Sequence, residues 1–82
     1  MDDAQIIGLI QNALGEVAPT RTSDFADIAF GTQIEALGLD SIATMEMVGI
    51  LEEAVDATFP DEDLTKVTSI GDLANLLKSN AS

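Results

Sequence analysis

The chain has 82 residues, 46% of them apolar and 4% aromatic, which suits one small domain with an aliphatic core and leaves no room for a second. It has no Cys and no His, which excludes disulfides, thiolate metal sites and a Ser-His-Asp triad, so chemistry at a serine must be done to it by another protein. Fifteen acidic residues against three basic ones give a net charge of −12, which argues against nucleic acid and anionic lipid as partners and for basic protein surfaces.

The first segment reads as a helix over about residues 3–17. Ile6, Ile10, Ala13, Leu14 and Val17 recur at three- and four-residue steps. Asp2 and Asp3 suit its start, and Pro19 marks its end. From Ala18 to Leu39 the pattern loosens into a long connection, expected to be pinned by Phe25, Ile28 and Phe30. One short helical turn is expected around residues 32–37, with Gly38 as its terminator.

A second helix is expected over about 41–55, with Asp40 or Ser41 as its cap. Met45, Val48, Leu51 and Val55 form its apolar stripe, flanked by Met47 and Ala54. Glu46, Gly49, Glu52 and Glu53 fall on the other side. Residues 61–66 allow a small third helix with an acidic first turn. The last helix is expected over about 70–78, opened by a capping box of Ser69 and Asp72. Its buried face is Ile70, Leu73, Leu76 and Leu77, and the tail from Ser79 to Ser82 is expected to fray. The fold class is therefore all-α: three main helices and a short one, packed antiparallel around a long first loop.

Charge is unevenly placed. Arg21 is followed by no other basic residue until Lys66, and eleven acidic residues lie between them. The start, MDDAQIIGLI, is acidic where a signal or transit peptide is basic, and no apolar run reaches membrane-spanning length. A cytoplasmic, monomeric protein with no membrane insertion is the expectation.

The functional stretch is Leu37-Gly38-Leu39-Asp40-Ser41-Ile42. It turns at a glycine and sets a serine at the start of a helix, where unsatisfied N–H groups and the positive dipole end favour a phosphate. The neighbouring Asp40 carboxylate would repel a phosphodiester, but with a phosphate it can hold Mg²⁺ in a partner's active site. Taken alone, an Asp-Ser pair at a helix start is an ordinary cap.

The surrounding pattern is more specific. Leu37 to Ile42 resembles the attachment motif Leu-Gly-x-Asp-Ser-Leu/Ile of the acyl carrier protein family without a mismatch. Glu46, Leu51-Glu52-Glu53, Phe59-Pro60-Asp61-Glu62 and Thr68-Ser69-Ile70 continue the resemblance, which covers essentially all of residues 1–82. It implies a single carrier domain with the four-helix bundle of acyl-carrier type, and a carrier rather than an enzyme. It also implies that Ser41 receives covalent 4′-phosphopantetheine from coenzyme A through a phosphopantetheinyl transferase, with Asp40 and Ile42 beside the attachment point. Acyl groups would then travel as thioesters between enzymes of fatty acid, polyketide or related biosynthesis. The partners implied are an acyltransferase, a ketosynthase or an acyl/aminoacyl ligase-type enzyme, docked on Asp40, Glu46, Glu52 and Glu53, with Ile42 and Gly49 as apolar or flat surface between the acids. Met45 and Met47 are expected to adapt the core to variable cargo.

Leu39 argues mildly against peptidyl carriage, and Leu39 with Ile42 departs a little from the fatty acid type. The initial Met and the single domain favour a free-standing carrier over a synthase module. The alternative is an acidic helical protein–protein interaction domain without a prosthetic group. Asp61-Glu62-Asp63 lacks the spacing and glycine of an EF-hand loop, and no metal site is expected.

Overall fold

In the computed structural model, which describes residues 2–80, four α-helices carry the chain: α1 Asp3–Val17, α2 Ser41–Val55, α3 Asp61–Leu64 and α4 Ile70–Asn80. They form an all-α bundle. Among the described residues the β-type pairing is a single isolated bridge, Gln33 with Ser69. No helix among them is long and apolar enough to cross a membrane.

α1 opens on a capping box. The Gln5 amide donates to Asp2 Oδ1 at 2.8 Å, and the Asp2 amide donates to Gln5 Oε1 at 3.0 Å. Ile6, Ile10, Ala13 and Leu14 are fully buried, while Val17 at the end of the same face is half-buried. They pack with Met47 and Leu51 of α2, Ile70, Leu73 and Leu77 of α4, and Phe25 and Phe59 from the connections. No charged or polar residue is buried among the described residues, so apolar burial alone builds the core.

The register of α2 differs from expectation. Met47, Val48, Leu51 and Val55 are buried, whereas Met45 is 58% exposed and Ala54 is also exposed. Met47, Leu51 and Val55 follow one another at four-residue steps, and Met45 lies about 200° around the helix from Met47. Only one of the two methionines therefore faces the core. At the far end Asp56 adopts φ 52°, and the Ala57 amide reaches back to Glu52 O at 3.0 Å in a Schellman arrangement.

The connection 18–40 holds two 3₁₀ segments, Pro19–Phe25 and Ile34–Leu37, of which only the second is legible as a helical turn in the sequence. Pro19 closes α1 but also opens a new segment, because its fixed φ suits a first helical position. Phe25 and Ile28 are buried as expected. Phe30 is not: its ring is exposed, and its backbone does the pinning instead. Phe30 O accepts from the Gly71 amide at 2.8 Å and Thr32 O from the Ile70 amide at 2.8 Å, while the Ile34 amide donates to Thr68 O at 2.9 Å. The loop thus satisfies amides that the first turn of α4 leaves without helical partners.

α3 ends at Leu64, not at residue 66. The Thr65 hydroxyl donates to Glu62 O at 2.7 Å, and the Lys66 amide donates to Asp63 O three residues back, tightening the chain into a turn. α4 runs two residues beyond its expected end at 78. Ser79 Oγ donates to Asn75 O and Asn80 Nδ2 to Leu76 O, so both side chains fold back on the preceding turn and both residues are helical where fraying was expected. The rest of the expected tail, residues 81 and 82, lies outside the described residues. Lys78 Nζ reaches Asp3 Oδ1 at 2.6 Å, an exposed pair that ties the end of α4 to the start of α1.

The α4 capping box is present and extended. Asp72 N donates to Ser69 Oγ, and Asp72 Oδ2 accepts from the Thr68 and Ser69 amides and the Thr68 hydroxyl. The Thr68 amide, then its hydroxyl and the Ser69 amide, hold the Asp72 carboxyl below the usual carboxylate range. A lowered folded-state pKa gives stability that is present above the unfolded value and is lost as pH falls through the folded one. The Tm difference between wild type and Asp72→Asn is therefore expected to be largest near neutral pH and to narrow below about pH 4. A difference that stays constant on acidification would remove the carboxylate's role.

Two glycines make opposite predictions. A Cβ on Gly71 would stand 2.9 Å from Phe30 O, whereas a Cβ on Gly8 would meet nothing within 4 Å. Gly8→Ala is expected to stabilise the fold by about 1 kcal/mol in denaturant unfolding. Gly71→Ala, although it also improves helix propensity, is expected to lower stability by displacing the loop from α4.

Candidate functional site

The site is assembled by the last turn of the connection and the first turn of α2. Gly38 sits in the left-handed region at φ 72°, which turns the chain out of the second 3₁₀ segment at no Cβ cost. Leu37 on one side is buried and Leu39 on the other is half-buried, so the turn is seated on the core. Asp40 is the cap of α2: its backbone is extended and Oδ1 accepts from the Ala43 amide at 2.7 Å. Asp40 O accepts from the Thr44 amide at 3.0 Å and from Thr44 Oγ1 at 2.9 Å.

With Asp40 as the cap, Ser41 occupies the first helical position and is exposed. The amides of Ser41 and Ile42 have no intrahelical acceptor there, and the helix mouth is electropositive. A hydroxyl free of the capping role, in solvent, beside two such amides fits a phosphodiester. Among the described residues no group of three or more carboxylates is placed to hold a metal ion.

The exposed side of α2 is mixed rather than purely acidic. Ile42 is 73% exposed, and Met45, Glu46 and Glu53 are also exposed, with Gly49 half-buried between them. At 100° per residue these five positions fall within a sector of about 100°. Met45 belongs to this face, which sequence reasoning missed by placing it in the core stripe. Nothing stands within 4 Å of a Cβ built on Gly49, so packing within the chain gives no reason for the glycine.

Glu52 stands apart from the other acids. It lies at the edge of the sector toward Val48, is half-buried, and its carboxylate accepts from the Phe59 amide at 2.7 Å. The side chain expected to meet partners thus holds the connection after α2, with Phe59 buried beneath it.

Sequence reasoning also missed Arg21. Its Nε donates to Asp24 Oδ2 at 3.1 Å, Nη2 donates to Leu37 O, and the guanidinium lies 5.4 Å from the centroid of the Phe25 ring. A Cβ on Gly38 would come within 3.4 Å of Nη2. The signal was the isolation of this one cation ahead of an acidic stretch. Its main-chain partner sixteen residues away had no pattern to betray it.

The family model described as phosphopantetheine attachment site matches residues 4–77, which takes in α2 and α3, most of α1 and α4, and the turn before Ser41. The chain belongs to this phosphopantetheine attachment-site family. Curated relatives include acyl carrier proteins of Clostridium acetobutylicum, 43% identical over 47 residues, and of Wolinella succinogenes, 36% identical over 47 residues. Each of those matches takes in 57% of this chain and 61% or 62% of the relative, so the chain spans about three-fifths of their length. The acyl carrier protein of Syntrophobacter fumaroxidans is 32% identical over 76 residues, covering 93% of this chain and 86% of that relative.

Within this family fold, the acids of α2 separate by what they hold. Glu52→Ala is expected to lower unfolding stability by about 1–2 kcal/mol through the orphaned Phe59 amide. Glu46→Ala, which removes an exposed carboxylate, is expected to stay within about 0.5 kcal/mol of wild type. Equal losses in denaturant titrations would overturn the division.

Proposed function

We propose that the chain is an acyl carrier protein, with residues 1–82 acting as one cytoplasmic, monomeric carrier domain and Ser41 as the point of phosphopantetheine attachment. The observation that carries the reading is the exposed Ser41 hydroxyl at the mouth of α2, relieved of capping by Asp40, within a chain matched along its length to the attachment-site family. A phosphopantetheinyl transferase brings coenzyme A to it. The Ser41 oxygen attacks the phosphorus that bears pantetheine, and an O–P bond forms. The P–O bond to the 3′-phosphorylated adenosine 5′-phosphate breaks, and the hydroxyl proton passes to a base of the transferase. Asp40 Oδ2 has no partner among the described residues and is available to a Mg²⁺ in that enzyme's active site.

Once bound, the group supplies the thiol that the chain lacks, and with it thioester formation. The chain's own contribution is to present and to dock. Glu46 and Glu53 draw basic faces of acyltransferases, ketosynthases or acyl/aminoacyl ligase-type enzymes in fatty acid, polyketide or related biosynthesis. Ile42, Met45 and Gly49 give those partners an apolar, low surface to close on. Exposed charge pairs contribute roughly 0–1 kcal/mol each while raising encounter rates, so a carrier meets enzymes quickly and leaves them. Glu52 contributes to docking only through the connection it holds.

Mass spectrometry after incubation with coenzyme A and a broad-specificity transferase is expected to show one added phosphopantetheine on wild type and none on Ser41→Ala. Glu46→Lys is expected to slow the modification by about 3–10-fold with unchanged helical circular dichroism. No mass gain in conditions that modify a control carrier would leave an acidic interaction domain in its place.

A further inference from the structure

We infer that Arg21 is a positioning residue for Ser41, one that sets the height of the serine by clamping the Leu37–Gly38 turn to the first 3₁₀ segment. The inference rests on Ser41 being the attachment point. It concerns a side chain outside α2 and outside the docking face.

In a chain of net charge −12, a lone arginine has many exposed carboxylates to meet. Arg21 takes one of them, Asp24, and gives Nη2 to a main-chain carbonyl instead. That carbonyl belongs to Leu37, the last residue of the second 3₁₀ segment, whose exposed carbonyl end favours a cation. The guanidinium is held between two surfaces. On one side is the Phe25 ring, which is itself buried in the core and fixed to α1 by Gln11 Nε2 donating to Phe25 O at 3.2 Å. On the other is Gly38, where a Cβ would stand 3.4 Å from Nη2, an ordinary contact distance.

Gly38 answers to one demand, a left-handed backbone, and the guanidinium lies beside it at ordinary contact distance. The path from core to serine runs Phe25, Arg21, Leu37 and Gly38, then the Asp40 cap. A lysine is not equivalent, because its single nitrogen cannot serve Asp24 and Leu37 in the same planar fork. Removing the clamp frees the turn to shift, and a displacement near 1 Å at a reacting atom can cost up to about 10²-fold in rate. Since Arg21 does not touch the α2 face, docking should survive while the chemical step slows.

The test measures single-turnover phosphopantetheinylation by a broad-specificity transferase with coenzyme A, as a function of transferase concentration. Arg21→Met keeps the aliphatic stem over Phe25 and loses every donor. Its saturating rate is expected to fall about 10-fold, with a half-saturating concentration within about 2-fold of wild type. Asp24→Asn, which leaves the Leu37 bond in place, is expected to react like wild type. A saturating rate for Arg21→Met equal to wild type overturns the inference, and so does a loss confined to the half-saturating concentration. A wild type that is never modified would instead sink the attachment reading. If Arg21→Met does not fold, amide hydrogen exchange of Arg21→Lys decides. Faster exchange confined to residues 37–42 supports the clamp, and a uniform increase across all helices refutes it.

Discussion

The position of Ser41 depends on how the connection 18–40 is fastened, because α2 begins where that connection ends. No ladder of regular hydrogen bonds runs through it. It is held instead at separate points: Phe25 and Ile28 in the core, Gln11 on the carbonyls of Phe25 and Ala26, Arg21 on Leu37, and the stretch from Phe30 to Ile34 on the start of α4. The hydrogen-bonded points satisfy backbone groups that no helix ladder reaches, and the two apolar side chains anchor the connection by burial. The close approach of Gly71 to Phe30 O, 2.9 Å from a Cβ built there, shows how little slack the fastening to α4 has.

α2 is then free to be two things at once. Its inner stripe, Met47, Val48, Leu51 and Val55, is shared with α1 and α4 and carries the fold. Its outer sector carries residues that do nothing for the fold: an exposed isoleucine and methionine, two exposed glutamates, and a glycine with open space around it. Large apolar side chains left in water and a glycine in a helix interior are both unfavourable for an isolated chain. Their coincidence on one face, beside the serine, is what supports the docking role proposed for it. Glu52 marks the border of the sector, where a carboxylate accepts from the protein's own backbone at Phe59.

The helices were legible because periodicity and caps are local signals. α1 and α2 fell where apolar spacing and Asp2 or Asp40 put them, and the Ser69–Asp72 box was visible as a pair three residues apart. The Gly38 turn and the Asp40 cap ahead of Ser41 were legible for the same reason, being adjacent in the chain. What failed was non-local or a matter of angle. Met45 and Met47 are both apolar, and only the true axis of the stripe tells which of them faces inward. Pro19 reads as a stop, and the 3₁₀ segment it opens owes its place to Phe25 in the core. Glu52 looks like its neighbour Glu53 until the chain returns with the Phe59 amide. Arg21 has no pattern at all, because its partner is a carbonyl that any residue at position 37 would supply.

The carrier role proposed for the chain asks it to present one hydroxyl. No polar or charged residue is buried among the described residues, and Ser41 is exposed. What the chain itself can determine is the place of one hydroxyl relative to one face of α2, and that relation is set by the Gly38 turn and the Asp40 cap together. The cap fixes the serine to the helix, and the Arg21 clamp fixes the turn to the core. On the proposed reading, a partner that recognises the face of α2 finds the hydroxyl without touching it first, and one weak, mixed surface can serve more than one enzyme.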